Sequence, residues 1–451
     1  MRYTAAMPPR ALVPTLLAIV VLLMPGYLTP PAVAEMQPII VGGRTLSLPH
    51  LAGPEMPSLS TACPPPALLP DPGMQIATAC ARVAAAADDG LQAAYLSLSK
   101  VYLDRGRRSP PALREDATLG GAALVAALRR VQGSGASVST DWHTELSNAG
   151  VRMRQIADVA GDPSLFELAV DAFQSAALLC PADERSPCAA EAKLRVVDAL
   201  SSMGRWRSSS ADEWRAIDLA RATLRDLPVD AHRNLWLRLH LRISVAFNAL
   251  VNLAPTDAEK IALQEQALAE LAEPLRVADA GQHDLLWSIM RQAAAATEAD
   301  LAIWRHDSVL ARQAIARCRS AIESYTFEES PTNWAEAWLD VAVLQVRLGQ
   351  LGEGPGDYAA AVSNADRGIA ALQRLGLPQR VAYARMVRAF ALVGDGEERW
   401  TNDRTAARER LREARAELDA VEPLFVRTGN RVYASRIHFW RNKIEAAEAK
   451  L

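Results

Sequence analysis

Stacked antiparallel helix pairs, an all-α solenoid, are what this sequence predicts, and three observations carry the prediction. Half of the 451 residues are apolar, alanine dominates, and only 6% are aromatic. That mix favours helices whose small side chains let neighbours approach closely. From residue 76 onward, amphipathic stretches of roughly 14–24 residues alternate with short breaks rich in Gly, Pro, Asp and Ser. Helices opening on tryptophan or a similar apolar start recur every ~46–51 residues, which marks a repeat array.

The first element stands outside that array. Arg2 and Arg10 form a positive start, ALVPTLLAIVVLLM (11–24) an apolar run, and Ala32-Val33-Ala34 a small-residue cleavage position. Residues 1–34 therefore read as a secretory signal peptide. A run of about 14 residues with Pro14 inside it is short for a membrane span, which needs ~20. No cysteine follows closely enough for a lipid anchor, so no stable membrane anchor is expected after cleavage. The expected compartment is periplasmic or secreted. Residues 35–75, with PPP, isolated prolines and Gly42-Gly43, lack lasting periodicity and read as a Pro/Gly-rich linker or arm.

The repeat array spans residues 76–451, in about eight helix pairs. Its first part (76–133) rests on helix pairing alone. The later units open with STDWHTELSNAGVRM, SPCAAEAKLRVVDALSSMG, RNLWLRLHLRI, QHDLLWSIMRQAAAA, PTNWAEAWLDVA, LPQRVAYARMVRAFALVG and GNRVYASRIHFWRNK. Second helices follow, such as SLFELAVDAFQSAALLC and DYAAAVSNADRGIAALQRL. GDPS (161–164), PADERSP (181–187), LAPTD (253–257), GEGPGD (352–357) and VGDGEE (393–398) read as breaks between helices. Trp334 and Trp338 share one helix face. Because tryptophans recur at the repeat period, the pair reads as shared core and not as an aromatic cage for a ligand.

Pro331, Trp334 and Ala335 open the helix that ends at Leu348-Gly349, with Val341-Ala342 at the inter-helix contact; Ala149-Gly150 take that place after Trp142. This pattern resembles tetratricopeptide (TPR) repeats of a degenerate, long-period bacterial type. The resemblance is strongest at 142–180 and 331–375. It implies a right-handed superhelix whose first helices line a concave groove where protein or peptide partners bind. Late groove-facing positions then hold Arg154, Gln155, Asn248, Asp300 and Arg347, whose side chains could grip a peptide's carbonyl or acidic groups.

Export makes the cysteines informative, because an oxidising compartment permits disulfides. Cys180 and Cys188 bracket a turn and are candidates for a bridge; Cys63 with Cys80 is a weaker pairing. Cys318 reads as a small buried residue. His232 and His240 flank Trp236 at four-residue steps, two turns apart, which is too far for one metal on a straight helix. The charged run RTAARERLREARAELDA (404–420) reads as a solvated face.

A net charge of −3 leaves no basic surplus for nucleic acid. No GxSxG, HExxH, Gly-rich phosphate loop or CxxC is present. No catalytic residue, metal site or cofactor is expected. The sequence therefore points to an exported interaction scaffold; its alanine-rich, arginine-over-lysine composition suggests a bacterial source. Two alternatives are an adaptor subunit of an envelope assembly and a cryptic envelope hydrolase. Acidic or His side chains with shifted pKa in a deep pocket would favour the hydrolase.

Overall fold

A computed structural model describes residues 39–41, 44–46, 48–51, 74–86, 91–103, 110–131, 141–160, 162–180, 187–279, 285–351, 357–427 and 430–450. The signal-peptide reading of 1–34 and Cys63 of the second cysteine pairing lie outside them. The described residues all belong to one compact unit, Pro38–Leu451.

That unit is an all-α solenoid. A small hairpin, β1 (Ile39–Val41) and β2 (Arg44–Leu46), comes first, followed by α1 (Met74–Ala85), α2 (Leu91–Leu103) and α3 (Pro110–Val131). Next come α4 (Trp142–Ala160), α5 (Ser164–Leu179), α6 (Cys188–Arg207), α7 (Ser210–Arg225), α8 (Arg233–Val251) and α9 (Asp257–Asp279). The series ends with α10 (Leu285–Trp304), α11 (Ser308–Ile322), α12 (Pro331–Gln350), α13 (Asp357–Arg374), α14 (Pro378–Arg399), α15 (Arg404–Arg427) and α16 (Arg431–Glu448). Each helix packs on the next, and alternate helices from α2 to α16 also touch. The described helices thus form seven pairs, α2–α3 to α14–α15, flanked by α1 and α16.

Helix starts follow local chemistry. Pro331 and Pro378 open α12 and α14, where a missing N–H costs nothing. Side chains of Ser209, Asp307 and Asn430 cap α7, α11 and α16 by accepting from backbone N–H groups, which satisfies otherwise orphaned donors.

The core is the repeated tryptophan and alanine layer. Trp142, Trp236, Trp287 and Trp338 are all buried. Trp334 meets Trp338 edge to face at 5.9 Å and Phe327 at 5.9 Å, so the aromatic pair is packing. Glycine opens the crossing of each strong unit. A Cβ on Gly349 would lie 2.6 Å from the Tyr358 ring, and one on Gly150 would lie 2.7 Å from Phe173.

VGDGEE (393–398) is not a break. α14 continues to Arg399, because Gly394 receives the Tyr358 ring and Gly396 faces Leu411. These glycines serve close packing, and buried Asp395 pairs with Arg399 and Arg410. The 404–420 run is also more than a solvated face. Glu413 and Glu417 bind Arg388 of α14, and Asp419 pairs with Arg441 of α16. Charge at these spacings fastens helices together.

The segment read as a linker or arm holds a hairpin, with Ile39 paired to Leu46. Ile39, Leu46, Leu48 and Leu51 are buried. Asp171 of α5, itself buried, accepts the backbone N–H of His50 at 2.6 Å and of Leu51 at 2.9 Å. Arg44 donates to the carbonyls of Leu178 and Cys180. Six residues of strand were too few to show a period, and their receptor lies far along the chain.

Candidate functional site

The first helices of successive pairs line one surface and are joined by a ladder of polar contacts. Arg195 donates to Ser147, Asn248 donates to Thr297 at 2.9 Å, and Gln292 donates to Asp340 at 3.3 Å. These partners are 48, 49 and 48 residues apart, so the sequence period reappears as side-chain rungs. Arg242 pairs with Asp198 at 2.5 Å, Arg347 with Asp300, and Arg380 with Glu336.

The same surface closes on itself. Gln379, at the start of α14, donates to the Val159 carbonyl at the end of α4. Asn430 donates to the Arg205 carbonyl at 3.2 Å and accepts the Ser208 hydroxyl at 3.2 Å, while Arg436 donates to Asn252 at 2.7 Å. α14 and α16 thus face α4, α6 and α8 across the interior, which identifies the first helices as the inner set.

Electrostatics in that interior follow from enclosure. Desolvation pushes Arg347 down to about 10, helped by repulsion from Arg436. Desolvation also brings Arg380 to about 10; nearby Asp158 opposes the shift, whereas Arg205, Arg154 and Arg242 add to it. Asp340 is enclosed by helices, although water still reaches its side chain. Desolvation raises it to about 6 against the pull of Gln292 and Arg205.

The structure separates the five groove residues. Arg347 pairs with Asp300 and lies 4.4 Å over the Trp304 ring; Gln264 of α9 also donates to Asp300. Asn248 belongs to the ladder, and Arg154 pairs with Asp158 four residues on at 3.4 Å. Gln155 is exposed. Four of the five therefore spend their polar groups within the chain, so they do not converge on one open site.

Among the described residues the inner surface opens at another place. A cleft of about 550 Å³ lies at the N-terminal ends of α8, α10 and α12, lined by Asn234, Arg238, Arg242, Leu286, Ile289 and Asn333 among others. Asn234 and Arg238 are exposed, and among the described residues no carboxylate pairs with Arg238. Sequence reasoning missed this site because it looked late in the inner helices, whereas the opening is early. One signal was available: Arg238 and Arg242 stand four residues apart on α8, on one helix face.

Cys180 and Cys188 are joined by a disulfide, with Cα atoms 5.7 Å apart. Cys318 is a free, buried thiol, pushed up to about 12 by desolvation. His240 meets the Trp236 ring edge to face at 4.3 Å and Glu270 at 3.1 Å, beside Arg221. Among the described residues no group of three His, Cys, Asp or Glu could hold a metal. Glu213, raised to about 7 by desolvation, is buried between α6 and α7. Among the described residues no helix is long and apolar enough to cross a membrane.

No family model matches this chain, and no curated protein matches it. Among solved structures it is similar to a circular tandem repeat protein with novel repeat topology and enhanced subunit contact surfaces. That likeness has 12% identity over 83% of this chain and 88% of the other, with a TM-score of 0.25. A score so low carries no argument, so the α-solenoid assignment rests on the sixteen described helices and their successive packing.

Proposed function

We propose that this chain is an exported bacterial scaffold of the TPR type, without catalytic activity, that binds a protein or peptide partner through its inner surface. Glycine crossings at Gly150 and Gly349 and the Pro331 opening support the TPR reading. The observation that carries the binding reading is the cleft at α8, α10 and α12. There a guanidinium with no carboxylate partner among the described residues, Arg238, stands beside Leu285, Leu286 and Ile289. Apolar walls with a few convergent polar groups suit a side chain held by contact and oriented by charge. An extended segment with an acidic group near an aliphatic residue matches that lining.

The test is selection of peptides on the full chain, followed by affinity measurement on Arg238→Glu. Selected peptides should be acidic, lose at least tenfold in affinity to the variant, and crosslink to a photoreactive group at Asn234. Peptides that bind the variant equally and crosslink to outer helices would instead support the adaptor reading. Phe439, 53% exposed on the last described helix, is the feature that favours that second reading.

A further inference from the structure

Two kinds of contact hold this array, and they differ in chemistry. Along the chain, packing is apolar. One buried cluster spans Ile39 to Ala294, a second spans Ala295 to Leu348, and a third spans Ala335 to Ala447. None of these clusters joins α14 or α16 to α4, α6 or α8. Across the interior the contacts are polar: Gln379 to Val159, Asn430 to Arg205 and Ser208, and Arg436 to Asn252.

The acceptors share a location. Val159 and Arg205 lie in the last turns of α4 and α6, and Asn252 is the C-cap of α8. Helix C-termini carry unsatisfied carbonyls and the negative end of the helix dipole. The amides of Gln379 and Asn430 therefore meet backbone carbonyls that need a donor, while Arg436 meets the side-chain oxygen of Asn252. Water could satisfy the same carbonyls, so each bond adds only modestly to stability. The charged groups beside the contact, Arg347 and Arg380, pair with Asp300 and Glu336 of neighbouring inner helices, along the array and not across it. Closure of this kind is easily undone.

We propose that α14 and α16 act as a releasable latch across the inner surface, and that releasing it bares the C-terminal ends of α4, α6 and α8 while every helix stays folded. The latch itself is independent of peptide binding; only its use in admitting a partner rests on the scaffold reading.

The test needs no partner. Gln379→Glu with Arg436→Glu sets carboxylates against the helix C-termini and leaves the Asn430 cap intact. In small-angle scattering of the full chain, this variant should show a larger radius of gyration, with helical circular dichroism unchanged. An unchanged radius would overturn the proposal. Lost helix content would also overturn it, because closure would then belong to the folded core. As a second measurement, Val159→Cys with Gln379→Cys, bridged by a short bismaleimide, holds the ends together. When Arg436→Glu is added, the bridged protein should stay compact and the unbridged protein should expand; identical profiles would refute the latch. Binding of acidic peptides at Arg238 is read separately, so either idea can fail alone.

Discussion

Ser201 donates its hydroxyl to Glu213 at 2.7 Å inside the crossing of α6 and α7, where Glu213 is fully buried. Among the described residues the other carboxylate oxygen has no hydrogen-bond partner, and a Cβ on Gly204 would lie 2.8 Å from it. A carboxyl in such a place is easier to keep protonated.

Stability should therefore depend on pH in a definite direction. Desolvation lifts Glu213 from 4.5 to about 7 on folding. Between those values the folded chain holds the extra proton, so its stabilising effect is complete below about 4.5 and is lost as pH rises through about 7. Denaturant melts should show stability falling by on the order of 3 kcal/mol across that window. Glu213→Gln keeps the acceptor for Ser201 and removes the ionisation, so its melts should vary less with pH and exceed wild type at pH 8. Equal pH dependence in the two proteins would show that Glu213 is not the titrating group.

Gly349 should be intolerant of any side chain for a specific reason. The alanine methyl would strike the Tyr358 ring, and forced overpacking costs about 1–3 kcal/mol. Gly349→Ala should lower the melting temperature, and much of that loss should vanish in a Tyr358→Leu background. Additive effects in the double-mutant cycle would point away from this contact.

The disulfide closes a short loop, so its removal should be mild and local. Cys180→Ser with Cys188→Ser should cost on the order of 2–3 kcal/mol through loop entropy. Hydrogen exchange should rise mainly in residues 165–205, since a repeat touches chiefly its neighbours. Protection lost throughout the chain would contradict a local role.

Asp171 should govern the N-terminal segment. Replacing it with alanine removes the acceptor of the His50 and Leu51 amides, a loss of about 1–3 kcal/mol for a buried donor such as Leu51. Limited proteolysis of Asp171→Ala should cut within residues 38–51 well before the helices; the unaltered digestion pattern of wild type would count against the anchor.

Much of this fold was legible because repeats are local. Trp142, Trp236, Trp287 and Trp334 advertise their units, and Pro331 with Leu348-Gly349 marks the ends of one of them. VGDGEE misled because a glycine that admits Tyr358 looks in sequence like one that ends a helix. The hairpin at 39–46 was hidden because its receptor, Asp171, lies on a helix two units away. The closure of α14 and α16 onto α4, α6 and α8 arises from small rotations summed over successive pairs, and no single segment encodes that sum. For the same reason the groove residues were sought in the wrong half of the inner helices: Arg154, Asn248, Asp300 and Arg347 were spent on neighbours, whereas Arg238 meets no carboxylate among the described residues.

The bond between Asn430 and Ser208 spans 222 residues, and that between Gln379 and Val159 spans 220, whereas the rungs of the inner ladder span one repeat. Bringing distant ends together costs loop entropy before any contact repays it, and contacts of long sequence separation slow folding. Helix pairs can condense on their neighbours in any order, but the ring of polar contacts has to wait until the intervening pairs have stacked. The last step of refolding should therefore belong to no single repeat: it is the meeting of α14 and α16 with the ends of α4, α6 and α8.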